Sequence, residues 1–164
     1  MVKKELTDQE KDLYNLLDNL GIKYQTMYHD PIQTVEEGKN ITKLINGTVC
    51  KNLLLTGKEY YLYATNITTE IDMKTLHKEL GEKKVRFADK SKLQELLNVQ
   101  PGCATVLSLI NDKEKKIKVV LDDTVKKSQI CFHPMRNDAT TTISYVDLLK
   151  FLNHLGYTPI YVQC

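Results

Sequence analysis

No apolar run in this chain approaches the ~20 residues that a membrane-spanning helix needs. No two cysteines stand at C-x-x-C spacing. Cys50, Cys103, Cys131 and Cys164 are far apart, so neither a thiol-exchange motif nor a paired zinc knuckle is written here. Internal repeats, low-complexity tracts and Gly/Ser linkers are absent as well, which excludes a solenoid or a string of tethered modules. The formal charge is only +2, too slight for a protein that grips a long nucleic-acid backbone, yet compatible with handling a nucleic-acid end. The opening residues MVKKELTDQEKD carry two early lysines with no apolar stretch behind them, unlike a secretory leader. The expectation is a cytoplasmic protein with free thiols and no membrane contact.

What is present suits one folded unit. A chain of 164 residues with 41% hydrophobic content can bury one sizeable core and is short for two. Residues 1–164 therefore read as a single domain, with 1–21 as an N-terminal helix. Thr7 and Glu10 have capping-box spacing, and Leu13, Leu16, Leu17 and Leu20 follow on one face before Gly21. Residues 23–28 read as a strand and 34–46 as a polar helix. Residues 48–55 and 60–65 form a hairpin around Gly57-Lys58-Glu59. A helix over 71–80, a short strand over 85–88 and a helix reaching about Asn98 come next. The apolar run 105–110 and residues 117–122 flank the turn NDKEKK, predicting a second hairpin. Strands over 130–132 and 140–143 precede a helix from Ser144 to Leu155, with a capping box from Ser144 and Asp147, and 159–162 is a last strand. Such alternation predicts an α/β (α+β mixed) domain: a central mixed, mostly antiparallel sheet with a barrel-like core, surrounded by helices.

Three segments carry residues that packing alone does not call for. In VCKNLLL, Lys51 shares a strand face with Val49 and Leu53, while Cys50, Asn52 and Leu54 share the other. A lysine there must snorkel, pair, or face a cavity, and an edge-strand gatekeeper is the plain alternative. In PGCATVLSLIND, Gly102 opens what reads as a strand; glycine admits close backbone approach, although Pro-Gly is also an ordinary turn. In CFHPMRNDATTTIS, His133 precedes Pro134, which favours extended backbone, among more polar groups than a core tolerates unpaired. Cys103 with His133 would make a thiol nucleophile and base. Cys50, Cys103, Cys131 and His133 could be drawn as zinc ligands, but only Cys131 and His133 are closely spaced, and buried structural cysteines are the plain reading. His29, His77 and His154 have no such company. The lysine clusters around Lys83, Lys115 and Lys126 are diluted by acids, and Tyr60, Tyr61 and Tyr63 read as packing residues.

In order and spacing these three segments resemble the YbaK/prolyl-tRNA-editing domain family of aminoacyl-tRNA deacylases. They are most similar to its free-standing branch that clears alanine from proline tRNA, and the resemblance runs from about Tyr24 to the C-terminus. It implies that Lys51, Gly102 and His133 are catalytic, with Asn52, Cys103, Ala104, Thr105, Pro134, Asn137 and Thr140 around the substrate. The family's G-x-V-x-P stretch reads here as Gly102-Cys103-Ala104-Thr105-Val106, so the glycine is retained while Ala104 and Val106 stand where valine and proline are usual. Also implied are the 3′-end of mischarged tRNA(Pro) as substrate, transient contact with prolyl-tRNA synthetase, water as attacking group, and neither metal nor cofactor. Two alternatives remain: a deacylase for Cys-tRNA(Pro) or another small amino acid, and a non-catalytic tRNA- or synthetase-binding module.

Overall fold

The computed structural model describes residues 4–163; Cys164, expected as a free thiol, and residues 1–3 lie outside them. Helix α1 (Asp8–Asn19) starts as its capping box predicts, Thr7 Oγ1 accepting from Glu10 N–H while Glu10 Oε1 accepts from Thr7 N–H, each at 3.1 Å. Strand β1 (Gln25–Tyr28) leads to a short α2 (Val35–Ile41), which stops well before the predicted Asn46. β2 (Thr48–Thr56) and β3 (Tyr60–Asn66) form the expected antiparallel hairpin. There a Cβ on Gly57 would sit 2.7 Å from the Glu82 carboxylate, so a larger residue would displace that side chain. Then come α3 (Met73–Glu79), the two-residue β4 (Arg86–Phe87) and α4 (Lys90–Lys92), which runs into a π-helical turn (Leu93–Leu97). The chain closes with β5 (Ile117–Asp122), β6 (Gln129–Phe132), β7 (Ala139–Ser144), α5 (Tyr145–Leu155) and β8 (Ile160–Val162).

The strands make one mixed sheet in the order β1-β7-β6-β2-β3-β5-β8, with β4 attached to β2. Four of the seven pairings are antiparallel; β2 with β6, β3 with β5, and β5 with β8 are parallel. Alternation along β2 and β3 divides the apolar residues between two layers. Leu54, Leu62 and Ala64 face a core that includes Leu13 and Leu17 of α1 and Phe151 and Leu152 of α5. Leu55, Tyr61 and Tyr63 face a smaller core closed by Leu76 of α3. β3 is thus buried on both faces, as parallel-paired central strands are.

The predicted strand over 105–110 is instead a 3-10 helix, Val106–Asn111, and with it the second hairpin disappears. Val106, Leu107, Ser108 and Leu109 are all buried, so this short apolar run satisfies its backbone locally while filling the core. Thr105 Oγ1 caps the turn by accepting from Leu107 N–H. β5 pairs with β3 and β8 in its place. The NDKEKK turn is fixed by Asp112, whose carboxylate accepts from the N–H groups of Lys116 and Ile117 and from the Tyr157 hydroxyl. At α5 only half of the expected capping box forms, Ser144 Oγ accepting from Asp147 N–H at 3.1 Å.

Candidate functional site

β3 pairs with β2 along its whole inner side, from Cys50 to Thr56. On the outer side β6 takes only Thr48 and Val49, and β4 only Leu55 and Thr56. Residues 50–54 have no strand beside them there, and a cavity of about 280 Å³ lies along the gap. This geometry explains why Cys50, Lys51, Asn52, Leu53 and Leu54 all line it although their side chains alternate between faces: the cavity opens on the strand's edge. Leu54 C=O points outward to accept from Ala88 N–H at 2.9 Å. Strand alternation aims the peptide group of Asn52 the same way, into the gap.

Lys51, Gly102 and His133, drawn from three distant segments, line this one cavity together with Asn52 and Ala104. Lys51 Nζ donates to Thr69 C=O at 2.6 Å, which leaves two N–H donors unclaimed. Burial, and secondarily the Lys39 charge, hold the ammonium pKa below the usual lysine range, while Glu70 opposes them. His133 Nδ1 lies 2.9 Å from Ala139 C=O, and since a carbonyl can only accept, that nitrogen carries the proton. Nε2 is then the ring atom left as acceptor. Burial foremost, then His29 at a ring separation of 6.4 Å, push the His133 pKa down, against the Ala139 carbonyl and Asp138, so the ring is neutral near pH 7.

Gly102 is exposed and turns with φ +85°, a conformation glycine adopts freely, and its missing Cβ would meet nothing within 4 Å. The N–H groups of Gly102 and Ala104 donate to no protein acceptor among the described residues. Asn52 Oδ1 accepts from Val106 N–H at 3.0 Å, tying this loop to β2.

The remaining predicted positions lie outside the lining. Cys103 is buried in the main core, and burial pushes its thiol pKa up, which leaves little thiolate for nucleophilic attack. Thr105 is the cap of the 3-10 helix. Pro134 and Asn137 belong to the loop between β6 and β7, where Asn137 C=O accepts from Ile32 N–H at 2.8 Å. Thr140 Oγ1 lies 2.8 Å from His29 Nε2 and braces that ring. Among the described residues no cluster of three or more His, Cys, Asp or Glu side chains could hold a metal ion.

Sequence reasoning missed three parts of the wall. The segment Ile32–Val35, which leads into α2, forms one side. Ile67 adds apolar surface, and Phe87, Ala88 and Leu93 form the end next to β4. Thr34 was legible as the start of a polar helix, but nothing local said that its neighbours would meet β2. His29, assigned no role from sequence, stands beside His133.

The family profile described as the aminoacyl-tRNA editing domain matches residues 29–151. A relative named Prolyl-tRNA editing protein ProX, from Acetoanaerobium sticklandii, is 34% identical over 155 residues, covering 92% of this chain and 94% of its own. Prolyl-tRNA synthetase associated domain-containing protein 1 of Danio rerio is 34% identical over 158 residues, covering 93% and 86%. A crystal structure proposed to be a trans-editing enzyme for prolyl tRNA synthetase superposes with a TM-score of 0.73 at 16% identity, covering 98% and 99% of the two chains, and so shares the fold.

Proposed function

The chain belongs to the aminoacyl-tRNA editing domain family, and from that premise we propose that it acts in trans on mischarged tRNA(Pro), hydrolysing the ester of Ala-tRNA(Pro). The observation that carries the reading is the meeting of Lys51, Gly102 and His133 on one small cavity. A synthetase cannot exclude alanine from a pocket built for proline, since a missing methylene discriminates by only ~1–3 kcal/mol, so a second sieve has physical work to do. The cavity, near the lower end of ligand-site volumes, suits a small aminoacyl group.

Water adds to the ester carbonyl, the bond to the ribose 3′-oxygen breaks, and that oxygen leaves as a hydroxyl after taking a proton. The products are alanine and uncharged tRNA. Such esters are activated already, so positioning and electrostatics carry most of the rate. In this reading the free N–H groups at Gly102 and Ala104 hold the carbonyl oxygen as charge develops on it. The neighbouring 2′-hydroxyl assists the water, and neutral His133 accepts at Nε2 from the α-amino group. The two unclaimed donors of Lys51 bind the terminal phosphate or polarise the carbonyl. No helix among the described residues is long and apolar enough to span a membrane, and a cytoplasmic site of action suits the substrate.

The test is a panel of Ala-, Cys-, Ser- and Pro-tRNA(Pro) with the purified protein. Ala-tRNA(Pro) should be deacylated fastest and Pro-tRNA(Pro) spared; faster turnover of Cys- or Ser-tRNA(Pro) would reassign the substrate, and none would leave a binding module. Lys51→Ala should abolish most turnover with the fold intact by circular dichroism. A rise in KM alone would put the ammonium on the phosphate, and a fall in kcat would put it on the carbonyl. Unchanged kinetics would remove the residue from the mechanism.

A further inference from the structure

Phe87 stands open to solvent at 62% exposure on a strand of only two residues, where burial would be the ordinary fate of a phenylalanine. It lines the end of the cavity next to β4, and its Cα pairs with Leu55, four residues along β2 from Lys51. That separation is roughly 13 Å of strand between Cα atoms, and both side chains line the one cavity from its two ends. The preceding residue, Arg86, belongs to a second hollow shared by Lys58, Lys83 and Lys84. This hollow holds four cations against a single carboxylate, Glu82. Glu82 is already engaged, accepting from Lys58 N–H at 2.9 and 3.1 Å and from the Tyr61 hydroxyl at 2.6 Å. Lys83, Lys84 and Arg86 are exposed and form no ion pair among the described residues.

We propose that β4 and the residues before it are the platform for the single-stranded 3′-end of the substrate: Phe87 stacks on the terminal base, and Lys83, Lys84 and Arg86 contact the phosphates behind it. An exposed ring beside unpaired cations is what a single strand recognises, because any base can stack and every linkage is anionic. One edge strand serves both functions. Its pairing with β2 puts the ring at the cavity mouth and the guanidinium in the neighbouring hollow. This inference rests on the deacylase reading only for the identity of the bound strand.

The protein contains no tryptophan, so Phe87→Trp installs a single reporter at the site itself. Titrated with a short oligonucleotide ending in CCA, that variant should show saturable quenching, and the same oligonucleotide with an abasic 3′-terminal residue should quench far less. Independently, Phe87→Ala should raise KM for Ala-tRNA(Pro) about tenfold, with Phe87→Tyr close to the parent protein. Replacing both Lys83 and Arg86 by alanine should lower the slope of log KM against log salt by about 1.4, for two phosphates at ~0.7 each. Equal quenching by both oligonucleotides, or Phe87→Ala with parental KM, overturns the platform even where turnover is normal. Quenching that needs the terminal base, in a protein that hydrolyses no aminoacyl-tRNA, overturns the deacylase reading and leaves the platform standing.

Discussion

At Gly102 the backbone adopts φ +85° with open space where a Cβ would lie, so side-chain volume is not what glycine avoids there. Gly102→Ala should therefore cost only the torsional strain, about 1–2 kcal/mol in denaturant unfolding. Deacylation should fall further, by tenfold or more in kcat/KM, because relieving the strain turns the N–H groups of Gly102 and Ala104 away from the cavity. Equal small losses in both would say that the amides hold nothing. His133 gives the second test at this scale. Burial, helped by His29, lowers its pKa, so protonation requires a pH below the ordinary imidazole value of about 6.5. The neutral, accepting form is complete above that value and is lost as pH falls through the folded-state pKa. The acid limb of kcat/KM should lie below about 6.5 and vanish in His133→Gln; an inflection above it would contradict the assignment. That these positions are unusual was visible in the sequence, because a lysine in an apolar strand and a His-Pro in a threonine-rich loop are both anomalies for a core, and both line the cavity.

Short elements are where pattern reading and structure part. The run from Thr105 to Ile110 has the composition of a buried strand, and apolar residues without period fit strand and helix alike. Its partner decided the outcome. β5, the partner the pattern offered, pairs with β3 and β8 instead, and the Asn52 side chain takes the Val106 N–H at 3.0 Å. Asn52 thus connects the lysine strand to the glycine loop, a role invisible until both are placed. Asn52→Ala strands a buried donor and should destabilise by about 1–3 kcal/mol, with loss of deacylation as the Gly102 loop shifts. Asn52→Asp keeps an acceptor and should restore most of the stability, whereas Asn52→Leu should not. A thermal melt and initial rates on the three variants suffice. The caps of α1 and the turn of the β2–β3 hairpin were legible because each is set by residues within a few positions of one another.

Across the whole molecule, the pairings that the sequence could not supply are those between distant strands, since nothing local registers β1 against β7, β2 against β6 or β3 against β5. The same holds for the contact that ties α1, which precedes the matched family segment, to the His133 loop. Glu10 has no exposed surface, and its carboxylate accepts from Arg136 at 2.5 Å and from the hydroxyls of Tyr14 and Tyr28 at 3.1 Å. Arg136 also forks onto Asp138, which Lys4 pairs at 3.0 Å. The guanidinium holds the Asp138 carboxyl well below the usual carboxylate range, a contribution complete above about pH 4 and lost as acid protonates the folded form. Removing only the cation would leave Glu10 charged and enclosed, so Arg136→Met should cost about 3–5 kcal/mol by urea unfolding. Adding Glu10→Gln removes the stranded charge while keeping an acceptor for Thr7 and partners for both tyrosines, and the double variant should regain more than half of that loss. If the two substitutions are additive, the pair is not a coupled unit. If the double variant regains stability yet deacylates no better than Arg136→Met, the guanidinium is needed to hold the loop that presents His133, and α1 belongs to the catalytic architecture rather than only to the core.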